Sequence, residues 1–211
     1  MKVRNLLVVI MTLVLATGLY AQASMANSAH DLSAGSGGVA ATSADDDQLC
    51  IFCHTPHTTA GQNQLWNKNP VDATAWNTTN SGTGSANNIG TTACLSCHDG
   101  TTSMGTVLND TTSGGTGSTI TLSSDNMGSA FGAFGTDLSG EHPVGVIYAT
   151  AQGAIGGLHV QGTAASNLGI PTASLTTVEC VSCHDPHDTS NGLFLRKDNS
   201  GSALCIACHD K

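Results

Sequence analysis

Two cysteines spaced C-x-x-C and followed at once by histidine occur four times in this chain. The motifs are Cys50/Cys53 with His54, Cys94/Cys97 with His98, Cys180/Cys183 with His184, and Cys205/Cys208 with His209. They use all 8 cysteines. An even cysteine count in an exported chain ordinarily reads as a disulfide framework. Disulfide bonding, however, has no use for a histidine after every second cysteine. The motifs also sit inside a longer repeat. "CHTPHTTAGQNQLWNKN" (53–69) aligns without gaps with "CHDPHDTSNGLFLRKDN" (183–199), setting Pro56 on Pro186, His57 on His187, Leu65 on Leu195 and Asn69 on Asn199. Each block is followed by a second motif, in "ACLSCHDG" and "LCIACHDK". The chain is organised as two paired-motif units, 50–100 and 180–211, joined by a connecting region rich in Gly, Ser and Thr.

Little else in the chain could build a core. Aromatic residues are 4% of it and Gly alone numbers 25, a composition that leans toward disorder. Something besides side chains must supply apolar surface. Residues 1–23 have the form of a signal peptide: Lys2 and Arg4, an apolar run from Leu6 to Leu19, then "AQA" at Ala21 to Ala23. The run falls short of the roughly 18 residues of a membrane span. In the remainder only Lys68, Arg196, Lys197 and Lys211 are basic, against 15 carboxylates. Nothing is then available to neutralise phosphates, so a nucleic-acid partner is disfavoured. Residues 24–49 form an N-terminal arm, flexible by composition through "SAGSGGVAATSADDD". Residues 50–211 form the domain that carries the motifs. Gly and Asn spacing rules out long amphipathic helices. The expected fold is mostly irregular coil with a few short helices and minor short strands. A turn or two falls at each motif, a helix over 145–155 and a strand over 118–122 ("STITL").

C-x-x-C-H is the attachment signature of c-type haem. Two thiols at this spacing face one side of a turn and add across the two vinyl groups of one porphyrin. The histidine that follows is then placed to bind the iron. Four motifs imply four haems, whose porphyrins would supply the missing apolar interior. Zinc ribbons also use C-x-x-C pairs but do not require His after every second Cys. A thioredoxin-like redox pair needs one motif on an α/β fold.

His54, His98, His184 and His209 account for one axial position on each iron. Of the 9 histidines, His30, His57, His142, His159 and His187 remain. The methionines outside the signal segment are Met25, Met104 and Met127, none in an evident ligand setting. Five spare histidines for four open positions make every haem bis-His. Such haems lack the methionine that raises potential, and leave no iron position for a substrate to enter. That argues against an enzyme. His57 and His187 follow a motif histidine by three residues. They cannot close over the same iron, and so point to a neighbouring haem. His142, in "GEHPVG", is a further candidate. His30, in "AHDL", and His159, in "GGLHVQG", compete for the last position, with His30 preferred and His159 in reserve.

The chain resembles the tetrahaem members of the extracellular cytochrome filament family, the OmcE-type nanowire cytochromes of metal-reducing bacteria. The resemblance is carried by the four C-x-x-C-H motifs with "AHDL", "CHTPH", "CHDG", "EHPVG" and "CHDPH" in that order. It implies irregular structure wrapped around a chain of haems. It also implies a head-to-tail homopolymer in which a histidine of one subunit, here His30, ligates a haem of the next. Electrons would pass to extracellular acceptors and to redox partner cytochromes. The alternatives are a monomeric periplasmic tetrahaem shuttle and, less in keeping with the histidine surplus, a multihaem reductase. Asn77 and Asn109 also fit the glycosylation acceptor pattern.

Overall fold

The computed structural model describes residues 25–42, 47–55, 66–69, 71–72, 89–109, 116–129 and 132–210. The signal segment, His57 and Asn77 lie outside the described residues. What is described is mostly coil, with short helices and two small antiparallel ribbons. Among the described residues no helix is long and apolar enough to cross a membrane.

Helix α1 (Ile89–His98) carries the second motif and buries Thr91, Thr92, Leu95 and Ser96, a stripe that repeats after one turn. It stops at Gly100, whose φ of 75° is left-handed and whose hydrogen faces the Gly128 carbonyl. A Cβ there would lie 2.4 Å from that oxygen, so only glycine fits. Strands β1 (Thr106–Asn109) and β2 (Thr116–Thr119) pair antiparallel, Thr106 opposite Thr119. The strand expected over 118–122 thus lies earlier. Beyond Thr119 the chain turns its apolar residues inward, where Ile120 and Leu122 are buried and Leu122 bridges to Ala41.

The helix expected over 145–155 is shorter at its start. Val146–Ile147 is instead strand β3, paired with β4 (Thr177–Val178), and α2 covers Tyr148–Ile155. Helix α3 (Gln161–Leu168) has no counterpart in the sequence reading. Its Gly, Thr, Ser and Asn are weak helix formers, but Ala164, Ala165 and Leu168 are buried against Leu175 and Ala207. Gly169 closes it, donating to the Ala165 and Ser166 carbonyls. Helix α4 (Cys180–Cys183) is the third motif itself.

Among the described residues the apolar side chains fall into two main clusters and a small one of Leu95 and Leu138. The first gathers Ala41, Ile51, Phe52, Met104, Val107, Ile120 and Leu122, with Cys53 and Cys97 packed against it. The second gathers Tyr148, Ala164, Ala165, Leu168, Leu175 and Ala207, with Cys208 against it. The stretch expected as a loose arm lies along the first cluster. Leu32, Ala34 and Val39 pack there, and the Thr42 N–H donates to the Thr121 carbonyl (2.9 Å).

Candidate functional site

Each motif closes as a single turn. His54, His184 and His209 donate their backbone N–H to the carbonyls of Cys50 (2.8 Å), Cys180 (3.0 Å) and Cys205 (2.9 Å). The second motif lies within α1. A turn of this kind puts positions i, i+3 and i+4 on one face, here both cysteines and the histidine. The intervening residues go the other way: Phe52, Leu95, Ser96, Ser182 and Ala207 are all buried. Each motif is therefore anchored by at least one buried x residue, although Ile206 of the last motif is 48% exposed.

A returning segment braces the first and third turns. The Asn67 N–H donates to Cys53 O (2.8 Å) and the Arg196 N–H to Cys183 O (2.9 Å), while His54 bridges to Trp66 and His184 to Leu195. Trp66 is thus the structural equivalent of Leu195. This corrects the ungapped alignment, which set Leu65 there: the return loop of the first unit is one residue longer. In the second unit Leu193 and Phe194 have φ of 48° and 57°, a left-handed backbone costing about 1–2 kcal/mol per non-glycine residue. That bend carries the Leu193 carbonyl to His184 Nδ1 (2.9 Å) and lays the Phe194 ring on His30 at 4.2 Å.

Among the described residues, three of the four motif histidines lie beside a spare one. His54 and His187 have ring centres 5.9 Å apart, His98 and His30 5.9 Å, and His209 and His142 6.4 Å. A first-row metal ion takes an imidazole nitrogen at about 2.0–2.1 Å, so two imidazoles on opposite sides of it have centres about 6 Å apart. Several rings are also oriented. Besides His184, His98 Nδ1 meets Gly132 O (2.7 Å) and His142 Nδ1 meets Pro143 O (3.0 Å). A carbonyl at Nδ1 fixes the proton there and leaves Nε2 as the metal-binding nitrogen. Burial, then neighbouring His98, push His30 down to about 4, so it is held as the neutral imidazole that ligation needs. His159 stands apart from these pairs. It is tied by its backbone, its N–H to Cys208 O (2.8 Å) and its carbonyl to the Tyr148 hydroxyl (2.9 Å).

None of the eight cysteines is joined to another. Burial pushes the Cys53 thiol up to about 12 and the Cys183 thiol up to about 11. Buried neutral thiols are poor nucleophiles, unlike those of a redox-active pair. Cys180 alone is shifted down, chiefly because the Cys94 thiol donates to its sulfur. That contact brings the second and third motifs side by side. Asn109, a candidate for glycosylation, is engaged: its side-chain amide donates to the buried Thr55 hydroxyl (3.1 Å).

A family model described as the doubled CXXCH motif matches residues 173–211. The match marks a multihaem c-type cytochrome. Its motifs imply covalently bound haem c and electron transfer. No curated protein matches the chain. The residues present fit that cofactor: sulfur pairs beside an imidazole on one face of a turn, and a second imidazole at the distance an axial iron requires.

Proposed function

We propose that the chain is an exported tetrahaem electron-transfer protein whose four irons are each held by two histidines. The reading is carried by the pairing of one motif imidazole with one spare imidazole, three times over at 5.9–6.4 Å. The ligand pairs are His54 with His187, His98 with His30, and His209 with His142. His184 is then left to His57, so the first and third motifs exchange their second histidines. Bound haem supplies one-electron exchange. The protein's residues would hold each porphyrin through two cysteine thioethers, offer two imidazoles to its iron, and bring Cys94 against Cys180 so that two attachment motifs lie side by side. With two histidines on each iron a substrate would have no place to react, and on this reading the protein is an electron carrier rather than an enzyme.

For the assembly, the proposed form is a subunit of an extracellular filament, as the resemblance implies. Residues 25–42 of one subunit would lie on the next and carry His30 to that neighbour's His98. Exchange of a segment keeps its contacts and is a low-cost route to association. The second reading is a periplasmic shuttle with all ligands internal, favoured by His30 lying beside His98 of its own chain.

Haem content is tested by the mass of the secreted protein and its pyridine haemochrome spectrum. Four haems are expected; fewer would overturn the tetrahaem reading. Electron microscopy of the secreted haem-staining fraction tests the assembly. Filaments in wild type that vanish in His30→Ala support the polymer, and monodisperse particles in both leave the shuttle.

A further inference from the structure

Aromatic side chains are scarce in this chain, which has 4 phenylalanines, yet two of them lie on the pair formed by His30 and His98. The Phe194 ring stacks on His30, with centres 4.2 Å apart and planes 16° from parallel. The Phe134 ring lies beside His98 at 5.8 Å and 28°. The two imidazoles themselves are crossed. Their planes stand at 79°, as do those of His142 and His209, whereas His54 and His187 lie at 27°.

Phe194 is held in place at a cost in backbone conformation. Leu193 and Phe194 have left-handed φ of 48° and 57°, a region that suits glycine rather than side chains of this size. The bend does not serve to bury Leu193, which is 66% exposed. Phe194 is half-buried and belongs to none of the apolar clusters. Backbone bonds fix the bend against the third motif: the Asp185 N–H donates to the Phe194 carbonyl (2.7 Å) and the Leu195 N–H to that of Gly192 (3.0 Å). What the bend gains is contact with two imidazoles. The Leu193 carbonyl meets His184 Nδ1 (2.9 Å), and the ring of the next residue covers one face of His30. Strain of this kind persists where the surrounding structure holds it, and it clusters where groups are positioned for function. Stacking and ligation do not compete here. A metal takes an imidazole through a lone pair in the ring plane, whereas Phe194 occupies the face. A stacked ring cannot turn about its Cβ–Cγ bond without losing that contact, so the flat face sets the direction of the His30 plane.

We propose that Phe194 is a positioning residue for His30, holding its imidazole crossed to that of His98 on the iron of the haem attached at Cys94 and Cys97. The inference deepens the bis-His reading above and rests on it. It holds whether His30 comes from the same chain or from a neighbouring subunit, because exchange of a segment keeps the contact. It is tested on the oxidised, haem-loaded protein by nuclear magnetic resonance assignment of the haem methyl signals, whose paramagnetic shifts follow the orientation of the axial imidazole planes. Wild type is compared with Phe194→Leu and Phe194→Tyr. Leucine keeps apolar bulk, a swap that packing alone tolerates, but it has no flat face; tyrosine keeps the face. In Phe194→Leu the methyl shifts of the Cys94/Cys97 haem redistribute while those of the other haems stay, and Phe194→Tyr restores the wild-type pattern. Unmoved shifts in Phe194→Leu overturn the proposal. So does a change of equal size at the Cys180/Cys183 haem, which would show that the bend itself had collapsed, and so does a pattern that Phe194→Tyr fails to restore. Should Phe194→Leu fail to load haem, the wild-type shifts decide: crossed imidazole planes at the Cys94/Cys97 haem support the proposal, and parallel planes overturn it. A wild-type Cys94/Cys97 haem that binds carbon monoxide when reduced lacks its second histidine, and overturns the ligation reading instead.

Discussion

His98, His142 and His184 each meet a backbone carbonyl through Nδ1, which leaves the far nitrogen to a metal. A ligand oriented by the main chain does not need an arrangement of polar side chains around it. His187→Ala isolates what such a residue does. On the proposed ligation the iron beside His54 would lose its second histidine, and the expected result is that the reduced protein binds carbon monoxide at one haem, read as a partial Soret shift. Wild type binds none; binding by wild type would defeat bis-His ligation throughout. Asn67 acts differently. Fully buried, it donates to the carbonyls of Ile51 (2.6 Å) and Asn109 (2.8 Å) and accepts from the Asn109 N–H (2.9 Å), stitching the first motif to β1. Asn67→Ala removes these bonds and strands buried groups, a loss on the order of 3 kcal/mol. The expected result is a lower denaturant midpoint, with the haem count unchanged.

Among the elements, the contact between α1 and α4 joins the second motif to the third. The Thr91 hydroxyl donates to Glu179 Oε2, and Glu179 in turn caps α4 through Ser182. Gly90 lets the backbones approach: a Cβ there would lie 2.9 Å from Val181 Cγ2 and 3.1 Å from Glu179 Cβ. Gly90→Val forces the two helices apart, costing about 1–3 kcal/mol as overpacking does. Slower electron exchange between the second and third haems, read by nuclear magnetic resonance line broadening, accompanies the loss. An unchanged midpoint and unchanged exchange would show that the helices do not couple these sites. The motif turns were legible because C-x-x-C-H is a local spacing, closed by one hydrogen bond from i+4 to i. Strands β1, β3 and β4 and helix α3 were not. Their residues have no periodicity of their own and are ordered by partners far along the chain, as Val146 is by Val178.

At the scale of the whole molecule, the described residues form two small apolar clusters and a smaller third where one core would be expected. None contains more than seven buried residues. The porphyrins are the natural remaining apolar mass, so a chain unable to bind them lacks the driving force to fold. Replacement of all eight cysteines by alanine is therefore expected to abolish cooperative unfolding, measured by near-ultraviolet circular dichroism. A sharp transition in that variant would mean the side chains suffice. The arm shows the same dependence. Its composition is that of a linker, yet Ala41 is 6% exposed because β2 and the residues after it provide a surface to lie on.

What the sequence by itself determined is the chemistry and its local geometry: the attachment motifs, the surplus of histidines and the scarcity of regular structure. Covalent spacing and glycine content act over a few residues, so they can be read in order along the chain. Only the tertiary structure decided which imidazole faces which. It laid the His30 ring beside that of His98, brought His187 to the first unit, and lengthened the first return loop by a residue. Those pairings join residues up to 133 positions apart, from His54 to His187. They depend on packing between segments, which no local pattern encodes.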